Sequence, residues 1–143
     1  MKKKYKLTDE SISFNGQTLY RIEAIMDFSD VKKGQKGGFI ESEYNLSHEG
    51  DSWVYDDAKV FGNAEVFGNA NICADEDYIV FKNWWSSNRY FTWTRSNNMW
   101  KVGCFYGTGE ELIKKAYKDS EKSGREYERI VKYVESILAD ENR

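Results

Sequence analysis

The chain has 143 residues, 40% of them hydrophobic and 31% charged, with a formal net charge of −3. Such a composition suits a soluble globular chain of one compact unit or two small ones, and no apolar run is long enough for a membrane-spanning helix. Cys73 and Cys104, the two cysteines, are too few for a disulfide framework or a zinc site; they are expected to be reduced and buried, with no metal and no cofactor. The opening MKKKYKLTDE is basic but has no apolar stretch behind it, so it is not read as a secretory signal, and a cytoplasmic location is expected.

The first predicted element is a hairpin. Asn15-Gly16 lies between the alternating runs SISF and QTLYRIEAI, and this dipeptide favours the turn that matches strand twist. Strands are predicted near Ile12–Phe14 and Thr18–Ile25. The next segment, DVKKGQKGGFIE, is rich in glycine and lysine. It lacks the GK[ST] ending of a phosphate loop and reads as a turn leading into the first hexad.

From Val54 the chain counts in sixes: VYDDAK, VFGNAE, VFGNAN, ICADED. The first position is Val54, Val60, Val66 and Ile72; the fifth is Ala58, Ala64, Ala70 and Glu76. A hexad with an aliphatic first residue and a small fifth residue suits a parallel β-helix, in which three short strands make one triangular coil. The aliphatic side chains point inward, and Gly62-Asn63 and Gly68-Asn69 suit the corners. Ile40 and Leu46 keep the same spacing upstream, with an irregular joint at Gly50–Trp53. So short an array needs caps, and both flanks offer them.

Composition then shifts near Asp77. From Glu41 to Asp77 the chain is acidic and Lys59 is its one Lys or Arg; from Tyr78 to Gly109 there is no Asp or Glu. Three strands are predicted in DYIVFKNWW, RYFTWTR and MWKVGCFY. Two helices follow, each with a capping-box signal, Thr108-x-x-Glu111 and Ser123-x-x-Glu126. Ile79, Phe81, Phe91, Trp93, Val102 and Cys104 are the predicted core of this unit. Leu112, Ile113, Ala116 and Tyr117, then Tyr127, Ile130, Val131, Val134, Ile137 and Leu138, are the helix stripes that cover it. Residues 1–77 and 78–143 are thus expected to be separate units.

GGFIESEYNLSHEG, the V-[YF]-G-N-A hexads and the run from DYIVFKNWW to GEELIKKAY together resemble a hexapeptide-repeat protein family of phages and prophages of Gram-positive bacteria, often labelled transferase or polymer-forming protein on the hexads alone. The likeness covers nearly the whole chain. Members of that family carry more hexads between the same two ends, so this chain would be a shortened form. The resemblance implies viral origin and a left-handed β-helix. The expected architecture is mixed β and α+β: a short left-handed parallel β-helix stub with an N-terminal β-hairpin cap, then a three-stranded antiparallel sheet with two C-terminal helices.

Three functions follow from these residues. The first is a non-catalytic binding protein acting in the host bacterial cell, a counter-defence inhibitor of the anti-CRISPR kind. Its partner would be a host protein, a host nucleoprotein complex or a signalling nucleotide. Trp84, Trp85, Arg89, Tyr90, Arg95, Trp100 and Lys101 can stack on bases and pair with phosphates. Glu41, Glu43, Glu49, Asp51, Asp56, Asp57 and Glu65 offer an acidic surface that could imitate a phosphate backbone, although an acidic face is more commonly just the solvated one. The second is a structural protein that self-assembles into a homo-oligomer through open coil ends or exposed aromatics. The third is a hexapeptide-type acyltransferase, for which His48, the one histidine, is the candidate general base. Against that stands a histidine simply hydrogen-bonded at the joint between hexads.

Overall fold

Residues 2–141 are described by a computed structural model of the chain. Strands β1 (Tyr5–Phe14) and β2 (Gln17–Ala24) form a hairpin. Its turn residues Asn15 and Gly16 both have positive φ, 52° and 79°, as a two-residue hairpin turn requires. β1 begins at Tyr5, well before the predicted Ile12, because a register shift between Leu7 and Ser11 interrupts the alternation that marks a strand in sequence.

β3 (Lys36–Ile40) pairs antiparallel with β2. The glycine pair of the lysine-rich segment lies inside this strand. A Cβ on Gly37 would stand 2.7 Å from Ile22 and Trp53, and one on Gly38 2.4 Å from the Ala58 carbonyl. Close packing, with no side chain tolerated, accounts for both glycines.

The pairing then becomes parallel. Ile40 lies beside Val60, Leu46 bridges to Val66, and Val54 lies beside Ile72. Short strands β4 (Trp53–Val54), β5 (Lys59–Val60) and β6 (Asn71–Ile72) carry the first and third contacts, and Leu46–Val66 is an isolated bridge. Val54, Val60, Val66, Ile72, Ala64 and Ala70 are all fully buried, and Ala58 nearly so. Gly62 and Gly68 share a φ of +67° at equivalent turns. The hexad period is therefore a burial period. Tyr5 and Ile22 join the same cluster from the hairpin, and Trp53 joins it from β4.

The second half contains four antiparallel strands where three were predicted: β7 (Tyr78–Lys82), β8 (Tyr90–Thr94), β9 (Met99–Val102) and β10 (Phe105–Gly107), in the order β10-β9-β8-β7. Gly103, at φ +56°, folds the predicted third strand into a hairpin. Helices α1 (Gly109–Asp119) and α2 (Glu121–Glu141) follow. The Thr108–Glu111 capping box is formed. The second box is not: Ser120 accepts the Ser123 N–H, which puts Ser123 inside α2, and Glu126 pairs with Arg129.

Both faces of this sheet are covered. Phe91, Trp93, Trp100, Val102 and the flanking Ile79 and Phe81 pack under Leu112, Tyr127, Val131 and Val134 of the helices. The opposite face meets the hexads. Thr92 Oγ1 accepts the Glu65 N–H at 2.9 Å, Ser96 Oγ accepts the Asn71 N–H at 2.8 Å, and Tyr78 donates to the Lys59 carbonyl at 3.0 Å. Tyr78 and Val80 pack against the hexad core, and Tyr106 lies over Phe67 and Gly68. Cys104, predicted in the core, is exposed at the β9–β10 turn, and Cys73 is exposed as well. No helix among the described residues is long and apolar enough to cross a membrane.

Candidate functional site

His48 is held at both ring nitrogens. Nδ1 accepts the Lys4 N–H at 3.2 Å, and Nε2 lies 2.7 Å from Glu43 Oε1. An Nδ1 that accepts fixes the neutral tautomer with its proton on Nε2, donated to Glu43. The ring stacks on Tyr5 with centroids 4.1 Å apart. This hydrogen bond, helped by Lys3, holds the Glu43 carboxyl below its ordinary range. A general base needs a free lone pair, and here the one lone pair is taken by backbone. The residue ties the N-terminal strand to the hexads, beside a surface groove of about 300 Å³.

Lys4 lies beneath the same joint and is 1% exposed. Its ammonium donates to the carbonyls of Gly50 (3.2 Å) and Ser52 (2.7 Å) and stands 4.8 Å from the Phe28 ring centroid. Burial pulls its pKa down to about 8, with Asp51 opposing. One lysine of the basic opening cluster is thus a structural plug, which no local pattern marks.

The acidic surface is partly consumed within the chain. Glu41 accepts the Gly62 N–H, Glu43 pairs with Lys3 and His48, Asp57 pairs with Arg21, and Glu65 accepts the Tyr44 hydroxyl. Glu49, Asp51 and Asp56 are exposed.

The aromatic and basic candidates divide into three places. Trp100 is 1% exposed and belongs to the core under the helices. Arg95 and Lys101 are used internally. Arg95 binds the Glu76 carbonyl and the Glu141 carboxylate, and Lys101 reaches the Gly103 carbonyl and covers the Phe67 ring. The rest gather at the β7–β8 connection. β7 stops at Lys82 and a turn follows, so Trp84 and Trp85 do not alternate as strand residues would. Trp85 packs edge-on against Tyr127 and donates to Ser123 Oγ at 3.0 Å. Trp84 is 60% exposed, with Lys122 Nζ 5.3 Å from its ring centroid. Arg89, just before β8, and Tyr90, its first residue, are exposed.

Beside this corner is a cavity of about 350 Å³ between the β7–β8 connection, the end of the sheet and the α1–α2 junction. Asn83, 6% exposed, organises its wall. Its Oδ1 accepts the Arg89 N–H at 2.9 Å and its Nδ2 donates to the Tyr127 hydroxyl at 3.2 Å. Sequence reading placed Tyr127 in the core stripe and passed over Asn83; a polar residue closing an apolar strand was the available signal. Among the described residues no cluster of His, Cys, Asp or Glu could hold a metal ion.

No family model matches the chain. Over 62 residues, 38% of its length, the chain is 40% identical to a protein of Escherichia coli (strain K12) described as the uncharacterized acetyltransferase YdcK. The match spans 19% of that protein, so the likeness to a protein so described is local.

Proposed function

We propose that the protein is a non-catalytic binding module of phage or prophage origin, a counter-defence inhibitor that docks the Trp84 corner onto a host nucleoprotein. In this reading the paired hexads are a left-handed parallel β-helix stub, and they carry the corner as a rigid support. The observation that carries the reading is the 60% exposure of Trp84 with the Lys122 ammonium 5.3 Å from its ring centroid. An exposed tryptophan beside a cation is a favoured interface anchor, and positive charge suits a partner that carries nucleic acid. The acidic surface supports docking less well, because Glu41, Glu43, Asp57 and Glu65 already have partners in the chain.

The test is a tagged pull-down from bacterial lysate, with and without nuclease, comparing the native chain with Trp84→Ala. Stoichiometric recovery of a nucleoprotein that Trp84→Ala loses supports the reading. Recovery of the chain alone, as a defined homo-oligomer, moves the weight to self-assembly.

The local likeness to a protein described as an acetyltransferase favours acyl transfer as a second reading. His48 beside its groove is the one residue of the right type. With both ring nitrogens engaged, it would have to break its bond to the Lys4 N–H before acting. An acyl-thioester transfer assay with His48→Gln as control separates the two: activity lost in His48→Gln establishes the second reading.

A further inference from the structure

We infer that the 350 Å³ cavity at the α1–α2 junction binds a small oxyanion, a phosphate or carboxylate group carried on an apolar body. The cavity is of ligand size. Its apolar floor is formed by Phe105, Val102, Leu112 and Ala116, and its polar wall carries Arg89, Lys115 and several hydroxyls against one carboxylate.

The direction of the hydrogen bonds decides the ligand. Trp85 Nε1–H donates to Ser123 Oγ at 3.0 Å, Asn83 Nδ2–H to Tyr127 Oη at 3.2 Å, and the Ser123 N–H to Ser120 Oγ at 3.0 Å. Each hydroxyl therefore already receives a protein donor, and its own proton is left to give. Tyr127 is 7% exposed, and nothing among the described residues accepts its proton. Burial raises the Tyr127 pKa, so it remains a donor. The Tyr127 hydroxyl lines the cavity, so a ligand oxygen can take its proton in place of water.

Arg89 adds the charge. Its guanidinium lies over Gly103, where a Cβ would stand 2.2 Å from Nη1. Among the described residues its side chain makes no hydrogen bond or ion pair. Asp119 is the one carboxylate on the lining, and it lies 3.7 Å from Lys115 Nζ. A guanidinium fork with hydroxyls on the same lining matches a phosphate or carboxylate, which only accepts. The site adjoins the Trp84 corner but does not depend on the partner proposed there.

The test titrates the full chain with phenyl phosphate and with phenylacetate, by calorimetry and amide NMR, with benzyl alcohol as the neutral control. Binding of either anion should shift the amides of residues 86–89 and 120–127. Arg89→Gln, at an exposed position, should keep the native circular dichroism and lose about tenfold or more in affinity, and Tyr127→Phe should lose severalfold. The stronger of the two anions identifies the head group. Trp84→Ala separates this inference from the partner reading, since it should keep the bound anion. Undiminished binding by Arg89→Gln, equal binding of benzyl alcohol, or no amide shift with millimolar anion would overturn the inference.

Discussion

The joint between hexads and the α1–α2 junction use their polar side chains in opposite ways. Around the joint they turn back into the wall. Asn45 is fully buried with both ends occupied: Oδ1 accepts from Glu41 and Ser42, and Nδ2 donates to the carbonyls of Gly62 and Ala64. Lys4 and His48 do the same at the joint. At the α1–α2 junction, the hydroxyls of Ser120, Ser123 and Tyr127 accept from protein donors and have their own protons left to give. A wall whose polar groups are satisfied internally gains rigidity and has little left for a ligand. The polar groups without a partner in the chain that bear on the proposals lie on the sheet–helix half.

The largest expected effect tests whether the halves are thermodynamically separate. Trp93→Ala should cost about 3–5 kcal/mol and Ile72→Ala about 2–5 kcal/mol, each leaving a cavity in a fully buried site. Because the sheet is bonded to the hexads on one face and to the helices on the other, each should lower a single shared transition. Two resolved transitions in tryptophan fluorescence and far-ultraviolet dichroism would show that the halves unfold independently.

Thr92→Val sharpens the same comparison at the seam. It keeps the volume and leaves the Glu65 N–H without its acceptor, for a cost of about 1–3 kcal/mol. Denaturant unfolding should show a lower midpoint with an unchanged slope. A steeper loss than in a hexad-only substitution would mean that the seam carries more of the stability than either core.

The smallest effect is a pH slope confined to the joint. Burial lowers the Lys4 pKa to about 8 from 10.5. Between those values the unfolded chain holds a proton that the folded chain has released, so stability rises with pH across that window. Tyr5, raised by burial, acts oppositely above about pH 10, where the unfolded phenol ionises first. The native chain should therefore gain stability between pH 8 and 10 relative to Lys4→Met. Parallel curves for the two proteins would show that the ammonium at the joint keeps its ordinary affinity for protons.

Several elements were legible because one residue choice had one physical cause. The valines and alanines of the hexads mark burial, Asn15-Gly16 marks a turn, and Thr108 with Glu111 marks a helix start. Other features depend on contacts made across the chain. Alternation along β8 and β9 separates two faces, but nothing local shows that the second face also meets a wall, so Lys101 reads as a ligand cation when it covers Phe67. Trp84 and Trp85 read as strand neighbours, yet the strand ends at Lys82 and the turn sends them to different surroundings. The Trp84 corner was legible in Trp84, Trp85, Arg89 and Tyr90, but of these only Arg89 lines the cavity. Asn83, Ser123 and Tyr127 gain their meaning from a junction of four elements that no stretch of sequence contains.

The two VFGNA runs are identical in sequence, each with its glycine at φ +67°. Their surroundings differ. A Cβ on Gly62 would meet nothing within 4 Å, while one on Gly68 would stand 1.9 Å from the Tyr106 hydroxyl. The first glycine is thus required by its own dihedral and the second also by a neighbour. Nature has placed a matched pair in one chain: the same letter, the same local strain, one copy bare and one covered. Whatever distinguishes an alanine at the two positions reports the fit of the sheet on the wall, with the backbone cost subtracted.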